Sequence, residues 1–439
     1  MPVRVTKRGR LAAICLFILL GATQALAEQR LEATRPVVWR DFLGVNAHFL
    51  WFSPEQYQRQ MDRLQELGLE WTRVDLHWDI MEPEPGQLRT AELDQLTQAM
   101  SARKLKTEMY LVGSPDFASS GPFGIANRGA YPPRDPALYA ASLVKFAQRY
   151  PSVQAWQVWN EPNLPSYWQP FEDPERYARL LQVSTAALRN QAPGRQVVMG
   201  GMAYYSQMPI RGGLMLEALG KLGVAQLGTV IAYHPYSQYP EGDDPKARDF
   251  VERARLLNAQ LRGVRPPAIW ADEWGWSSYT GPKEEQNIIG EQGQADFVLR
   301  RLALMSALDY DRIFLFTLSD LDSRASARDQ HYGLLRLDGS PKPVYLALQR
   351  FLRLTGPRLL PEQPPTLVGA PDDFYSIAWR RDDGSRIWMF WSAGQERVHL
   401  PGITQATLHD PLTGDSRELS GADGIDVQAK SSLQLLTWK

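Results

Sequence analysis

Short apolar runs alternate with longer amphipathic stretches from about residue 40 to residue 350. Runs of this length are typical of buried strands in a parallel sheet, and the longer stretches have the apolar spacing of covering helices. Eight strand-like runs occur, at residues 42–48, 71–76, 106–112, 155–160, 196–200, 229–233, 268–273 and 312–318. Helical patterns lie between them at residues 54–67, 91–102, 136–148, 174–190, 249–261 and 290–308. Eight strand–helix units close a (β/α)8 TIM barrel, so we predict that α/β fold.

The pattern changes after one more helix that ends near Leu354. The proline-rich residues 356–365 predict a domain boundary. Beyond it, apolar and polar residues alternate in short runs separated by Gly and Asp turns, at residues 374–379, 387–391, 397–400, 407–410 and 432–438. This alternation predicts a small antiparallel β-sandwich. We therefore expect a barrel domain over residues 28–354 and a sandwich domain over residues 355–439.

Residues 1–27 have the layout of an export signal, with four basic residues among the first ten, an apolar run, and small residues before Glu28. An uncleaved membrane anchor is the alternative, since residues 11–27 are at the lower length limit for crossing a bilayer. In both interpretations we expect a periplasmic protein, either free or tethered to the inner membrane. The single cysteine, Cys15, lies in this segment, so the remaining chain is predicted to fold without disulfides.

The charges of the chain nearly cancel, with 48 Lys and Arg against 49 Asp and Glu among 439 residues. This balance provides no excess positive field for holding a nucleic acid or an anionic membrane surface. A neutral partner is expected instead.

Two glutamates stand at the ends of predicted strands. Glu161 closes the fourth strand and Glu273 closes the seventh, both beside tryptophans. The carboxyl ends of barrel strands face one shared cleft, so the two side chains are predicted to converge there. Cleavage of a glycosidic bond needs one protonated carboxyl group and one ionised carboxylate. Tryptophan faces stack on sugar rings, and an apolar wall raises the pKa of the acid.

The run Trp159-Asn160-Glu161-Pro162-Asn163, with a second glutamate ending strand seven, resembles the large clan of retaining (β/α)8 glycosidases. Within that clan the sequence is similar to family 39 and, closer still, to a glycosidase of an exopolysaccharide system. The likeness covers nearly the whole chain after the signal. It includes residues 41–46, 50–55, 155–164, 302–321 and 430–434.

The resemblance implies a role for several residues. Glu161 matches the family's acid/base and Glu273 its nucleophile, while Asn160 matches the residue that faces the sugar 2-OH. Arg73 matches an arginine that keeps the nucleophile ionised; the alternative for Arg73 is an internal salt bridge with Asp75. The group beside the nucleophile is matched by two residues, His234 and Tyr236.

Other residues are expected to contact the sugar or to support the site. Trp168, in the irregular loop 164–170, is our candidate for a sugar-stacking platform, and loop 114–133 is expected to shape the cleft wall. Many clan members have a floor tryptophan at the end of strand eight, whereas residues 314–320 offer only phenylalanines. Four further residues at strand ends complete the candidate set: Asn46, His48, His77 and Trp274.

Two alternatives come from other protein classes. The first is a metal-dependent hydrolase, because three histidines, His48, His77 and His234, lie at predicted strand ends. No His-x-His pair or cysteine accompanies them, so we predict no metal and no cofactor. The second alternative is a non-catalytic scaffold that binds polysaccharide within an envelope export assembly.

The preferred hypothesis is a monomeric, retaining, endo-acting hydrolase. The resemblance implies a neutral, mannose-containing exopolysaccharide as substrate and a role in exopolysaccharide biosynthesis or turnover and in the biofilm matrix. It also implies envelope synthesis or export proteins as partners.

Overall fold

A computed structural model describes residues 29–244, 249–282 and 286–439. The predicted signal or anchor, residues 1–27, lies outside the described residues. Among the helices that the structure describes, none is long and apolar enough to cross a membrane.

Eight parallel strands form the barrel. We number them β1 (Leu43–Asn46), β2 (Trp71–His77), β3 (Lys106–Val112), β4 (Ala155–Val158), β5 (Gln196–Met199), β6 (Ile231–His234), β7 (Ile269–Trp274) and β8 (Arg312–Leu315). Neighbours in this order pair in parallel from β1 to β5 and from β6 through β8 back to β1. The ring closes between β5 and β6, where the Val230 amide donates to the Val197 carbonyl over 2.9 Å. The (β/α)8 prediction is confirmed.

Helices cover the outside of the barrel. They are α1 (Pro54–Glu66), α2 (Ala91–Ala102), α3 (Pro136–Arg149), α4 (Pro174–Gln191), α5 (Met215–Lys221), α6 (Asp249–Gly263), α7 (Gly290–Ala307) and α8 (Pro343–Thr355). Helix α1 begins at Pro54, as predicted. Ser53 and Gln56 form a reciprocal capping box, and a proline at the first position favours a helix start. Helix α5 is absent from the sequence prediction because its seven residues are too few to show helical periodicity.

Alternate residues of the barrel strands point inward and stack in layers. The lowest layer is apolar, and Trp71 meets both Trp270 and Phe314 there edge to face. Two residues further along β2 and β7, the inward positions are Arg73 and Asp272, so the layer above is charged. This change of polarity along the strands positions the site at their carboxyl ends.

The C-terminal domain contains a large, mostly antiparallel sheet and a two-stranded ribbon. Its strands are β9 (Arg358–Glu362), β10 (Tyr375–Arg381), β11 (Arg386–Trp391), β12 (Arg397–Pro401), β13 (Gln405–His409), β14 (Ser416–Ser420), β15 (Gly424–Gln428) and β16 (Gln434–Trp438). Along β11, Trp388 and Phe390 face a core shared with the ribbon β12–β15, whereas Ile387, Met389 and Trp391 belong to the core of the barrel. The predicted sandwich is confirmed, and its inner sheet packs on the barrel.

The ends of the two domains differ from the sequence-based division. Two strands near the N-terminus, Gln29–Leu31 and Val37–Val38, pair with β10 and β9 and so belong to the C-terminal sheet rather than to the barrel. Strand β9 itself lies inside the proline-rich stretch that we predicted to be the domain boundary. These three strands carry too little apolar patterning to be identified from sequence, and their pairing depends on residues far away in the chain.

Candidate active site

Glu161 and Glu273 both turn into the barrel mouth through irregular backbone. Neighbouring residues of a strand normally face opposite sides, yet Asp272 and Glu273 both face the interior. A register shift of β7 against β8 between Ala271 and Trp274 makes this possible. After β4 the chain adopts left-handed conformations at Trp159 (φ 70°) and at Glu161 (φ 40°), which are sparsely populated for such residues and cluster at functional sites.

The two carboxyl groups are close enough for a direct attack on a sugar carbon. An oxygen of Glu161, an oxygen of Glu273 and a ring nitrogen of His234 all lie within 4.8 Å of one another. Retaining glycosidases place their two carboxyl groups about 5 Å apart, whereas inverting enzymes need several ångströms more to admit a water molecule. The observed spacing therefore fits the retaining geometry that the sequence predicted.

Arg73 binds the candidate nucleophile. Its Nη1 donates to Glu273 Oε1 over 2.6 Å and to Asn46 Oδ1 over 2.9 Å, and its Nη2 donates to Asn160 Oδ1 over 2.8 Å. The guanidinium is fully buried and lies over the Tyr110 ring. Although burial opposes its charge, the carboxylates of Glu273 and Asp272 raise the pKa of Arg73. A permanent positive charge therefore lies directly beside Glu273, the candidate nucleophile.

The salt bridge of Arg73 with Asp75, our alternative, is absent among the described residues. Asp75 instead accepts a hydrogen bond from His48 Nδ1 over 2.9 Å and lies 3.6 Å from His77 Nε2. Although burial opposes ionisation of Asp75, the adjacent His48 and His77 lower its pKa.

His234 lies between three carboxyl groups. Its Nδ1 is 2.7 Å from Glu161 Oε1 and 3.5 Å from Glu273 Oε2, and its Nε2 is 3.3 Å from Asp272 Oδ1. Burial opposes protonation of the ring, but Glu273 and Asp272 raise the pKa of His234 to about 10. This pKa favours the cationic ring at neutral pH, in which Nδ1–H donates to Glu161.

Glu161 has the protonation behaviour of a general acid. Burial raises its pKa, and the hydrogen bond and charge of His234 counteract part of that increase. The pKa stays above the ordinary value of a glutamic acid, which is the direction that a general acid requires.

The cleft above these groups has a volume of about 680 Å³. His48, Phe316 and Tyr332 form part of its lining, and the Tyr236 hydroxyl donates to Glu273 Oε2 over 3.3 Å. Phe316 packs edge to face on both His48 and Tyr332. It lies at the end of β8, where the resemblance expected a tryptophan, so an aromatic floor is retained in a smaller form.

Several predicted site residues lie away from the cleft lining. Trp168 is only 1% exposed and packs against Trp159 and Tyr177, so its prediction as a sugar platform is wrong. Trp274 is fully buried, and His77 is partly exposed beside Asp75. No residue of loop 114–133 lines the cleft, so the expectation that this loop shapes its wall is also wrong.

Sequence reasoning missed the residues that support the site from below. Asp272 accepts a hydrogen bond from Gln157 and lies 3.5 Å from Arg73 Nε, and Gln157 also binds that guanidinium. Gly201 leaves the space in which His234 approaches Asp272, since a Cβ there would overlap the imidazole ring. The Gly200-Gly201 pair after β5 was the available signal, because adjacent glycines at a strand end indicate close packing.

The donor atoms of Glu161, His234 and Glu273 are of a type that holds divalent cations. The surrounding charge does not favour a divalent cation at this site, because the guanidinium of Arg73 already binds Glu273 and the raised pKa of His234 favours a cationic ring. The three histidines of the metal-hydrolase alternative do not converge, since His48 and His77 flank Asp75 while His234 binds Glu161.

Comparison with known proteins gives structural neighbours only. No protein-family model matches the sequence, and no curated protein matches it. A family 39 glycoside hydrolase from the gut symbiont Bacteroides cellulosilyticus WH2 superposes with a TM-score of 0.69 at 18% identity, over 90% of this chain and 80% of that one. A monomeric β-xylosidase from Caulobacter crescentus CB15 superposes with a TM-score of 0.62 at 17% identity, over 92% of this chain and 97% of that one. A family 30 endoxylanase from Clostridium papyrosolvens C71 superposes with a TM-score of 0.61 at 11% identity, over 94% of this chain and 98% of that one.

The fold is shared with these glycosidases. At such low identity the likeness establishes the barrel and the accessory sheet, whereas function has to be argued from the site. The site holds a buried acid whose pKa is raised, a carboxylate bound to arginine, and an open cleft above both. These are the groups that a two-step displacement at a glycosidic carbon requires.

Proposed function

We propose that this protein is a retaining glycoside hydrolase in which Glu161 is the acid/base and Glu273 the nucleophile. The spacing of the two carboxyl groups, within 4.8 Å, carries the proposal. The hydrogen bond from Arg73 to Glu273 and the raised pKa of Glu161 support this division of roles, because a nucleophile must be ionised and an acid must be protonated.

The reaction has two displacements. Glu273 attacks the anomeric carbon while Glu161 gives its proton to the departing glycosidic oxygen, so a C–O bond to Glu273 forms as the glycosidic bond breaks. Glu161, now ionised, takes a proton from water, and the resulting hydroxide oxygen displaces Glu273. Asn160, held by Arg73, lies at the position where the resemblance places the contact with the sugar 2-OH.

For the substrate we propose a neutral exopolysaccharide that contains mannose and is cut internally. A volume of about 680 Å³ exceeds what a single sugar needs, and much of the lining is aromatic or uncharged polar. The resemblance of the sequence motifs to a glycosidase of an exopolysaccharide system is our reason for proposing this polymer class and a role in biofilm matrix synthesis or turnover. Export to the periplasm as a monomer, beside envelope synthesis or export proteins, belongs to the same proposal.

The first test is hydrolysis by residues 28–439 of a mannose-containing exopolysaccharide and a panel of aryl glycosides. New reducing ends are expected, and Glu161→Gln and Glu273→Gln each lower the rate about 1,000-fold. Glu92→Gln, the same change at an exposed position on α2, is the matched control and leaves the rate unchanged. Mid-sized products indicate internal cleavage.

A chelator arm separates this proposal from a metal-dependent hydrolase. Activity is expected to persist in EDTA, because Arg73 and His234 supply the positive charge near the nucleophile. The scaffold alternative predicts that the polymer binds with no new reducing ends and that neither glutamine variant changes the binding. That result on every substrate would remove the enzyme proposal.

A further inference from the structure

The loop after β6, residues 235–244, forms one wall of the cleft. Tyr236, Ser237, Gln238 and Asp243 of this loop belong to the cleft lining, and Tyr236 contacts the nucleophile. We call residues 235–244 the β6 loop. Loops of this length are mobile unless their backbone is tied down, so the groups that bind it determine the shape of the wall.

The inner part of the β6 loop is fixed by the barrel. Arg301 of α7 is fully buried and donates to the carbonyls of Pro235 over 2.8 Å, Tyr239 over 3.1 Å and Pro240 over 2.8 Å. The Trp276 indole N–H donates to the carbonyl of Ser237 over 2.9 Å. These contacts surround Tyr236 and come from elements of the same domain.

The outer part is held by both domains, and the C-terminal domain contributes one donor. The Trp391 indole, at the end of β11, donates to Glu241 Oε1 over 2.9 Å, and Arg300 of α7 donates to the same oxygen. Glu241 is only 7% exposed, and Trp391 is 2% exposed and stacked on Tyr375 at 4.7 Å. Each donor to a buried carboxylate compensates part of its charge, so losing the Trp391 N–H weakens an attachment that Arg300 alone would then maintain.

We infer that Trp391 is a positioning residue through which the C-terminal domain sets the outer wall of the cleft. It acts through Glu241, which lies between the lining residues Gln238 and Asp243 and holds their part of the loop against α7. The accessory sheet thereby contributes to binding of a saccharide that extends along the β6 loop. The inference rests on the proposed function for its kinetic consequence, and on geometry alone for the attachment of the loop.

The variant Trp391→Phe removes the N–H donor and keeps the ring stack on Tyr375. We expect KM for the polysaccharide to rise about tenfold with kcat within twofold, and the kinetics on an aryl monosaccharide to stay unchanged, because Arg301 still holds Tyr236. Glu241→Gln is expected to raise KM for the polysaccharide in the same way and to leave kcat nearly unchanged. The double variant should be no worse than the single ones, because both act through one contact.

The matched control is Trp388→Phe. Trp388 lies on the same strand, is fully buried and donates over 2.8 Å to Ser376 Oγ inside the C-terminal domain, so it loses an equivalent bond without touching the loop. Equal loss of thermal stability in both tryptophan variants, with unchanged KM in both, would overturn the inference.

Amide hydrogen exchange tests the attachment independently of activity. Exchange over residues 235–244 is expected to increase in Trp391→Phe and not in Trp388→Phe. If the wild type cleaves no glycoside, this measurement still decides the attachment, and the failure belongs to the proposed function alone. Unchanged exchange in Trp391→Phe would contradict the inference whatever the activity.

Discussion

At the scale of single residues, His234 controls how strongly Glu161 holds its proton. The ring is fully buried and charged, and it donates to Glu161 Oε1 over 2.7 Å. Hydrogen bonding to an ionised carboxylate favours ionisation, so the cation lowers a pKa that burial raises. Removing the cation therefore leaves the effect of burial uncompensated and raises the pKa of Glu161 further.

This gives a prediction for His234→Asn. The acid form of Glu161 is the active form in the first step, so activity is lost as pH rises through its pKa. We expect the alkaline limb of the kcat/KM profile to move to higher pH, with the plateau about tenfold lower because a charge-assisted hydrogen bond is lost. His77→Asn, at a strand end outside the cleft lining, should leave the profile unchanged. A shift to lower pH in His234→Asn would contradict this account.

A second prediction concerns Gly201. An added Cβ would overlap the His234 ring and lie 2.7 Å from Asp272 Oδ1, so Gly201→Ala must displace the imidazole. We expect kcat to fall at least tenfold and the alkaline limb to move in the same direction as in His234→Asn. Gly220→Ala, with open space around it, is the control. Wild-type kinetics in Gly201→Ala would show that the position of His234 does not matter.

For individual residues, the structure also explains which sequence predictions succeeded and which failed. Arg73 and Glu161 lie in strand-end motifs whose chemistry is readable from residue type and position. Asp272 was missed because strand alternation turns the neighbour of Glu273 away, and only the irregular register of β7 brings both inward. Trp168 was misassigned because sequence shows that a residue is aromatic but not that it is buried.

At the scale of elements, Asn163 joins two of the loops that carry the site. Its side-chain amide donates to the carbonyls of Ala203 and Gln207, and its oxygen accepts from the Ala203 amide. Asn163 follows the acid by two residues, and Gln207 lines the cleft. The loop after β4 is thereby fixed to the loop after β5.

We expect Asn163→Ala to lower the free energy of unfolding by about 1–3 kcal/mol, because it leaves buried backbone groups without partners. KM for the polymer should rise at the same time, since the wall formed by Gln207 loosens. Urea unfolding and steady-state kinetics measure the two effects. Asn190→Ala, an exposed position on α4, is the control. A variant as stable and active as wild type would argue against the connection between the loops.

Elements with a clear apolar pattern were readable from the sequence, and three short strands without such a pattern were not. Strand β3 and helix α2 match the predicted bounds to the residue, because their apolar spacing is regular over seven or more positions. Strand β9 and the strands Gln29–Leu31 and Val37–Val38 are too short for such a pattern, and their pairing depends on residues far away in the chain.

At the scale of the whole molecule, the two domains share one hydrophobic core. The inner face of the C-terminal sheet, including Ile377, Trp379 and Met389, belongs to the same cluster of buried residues as the barrel strands. The N-terminal strands cross into that sheet and tie the start of the barrel domain to it. Neither domain is complete without the other.

We therefore predict that a chain ending at Thr355 does not fold to an active barrel. Truncation exposes the apolar barrel surface beneath the sheet and removes the partners of Gln29–Leu31 and Val37–Val38. The truncated chain should be insoluble or lack a cooperative thermal transition, whereas the full chain should unfold in one transition. A soluble truncated chain with full activity would refute the shared core.

The most direct test of the central claim is to trap the glycosyl-enzyme. A 2-deoxy-2-fluoro glycoside with a good leaving group, of the sugar that the aryl glycoside panel shows to be cleaved, slows the second displacement more than the first and leaves the sugar bound. Mass spectrometry of the digested protein is predicted to find the label on Glu273. A label on any other residue, or hydrolysis with inversion at the anomeric carbon and no label, would contradict the assignment.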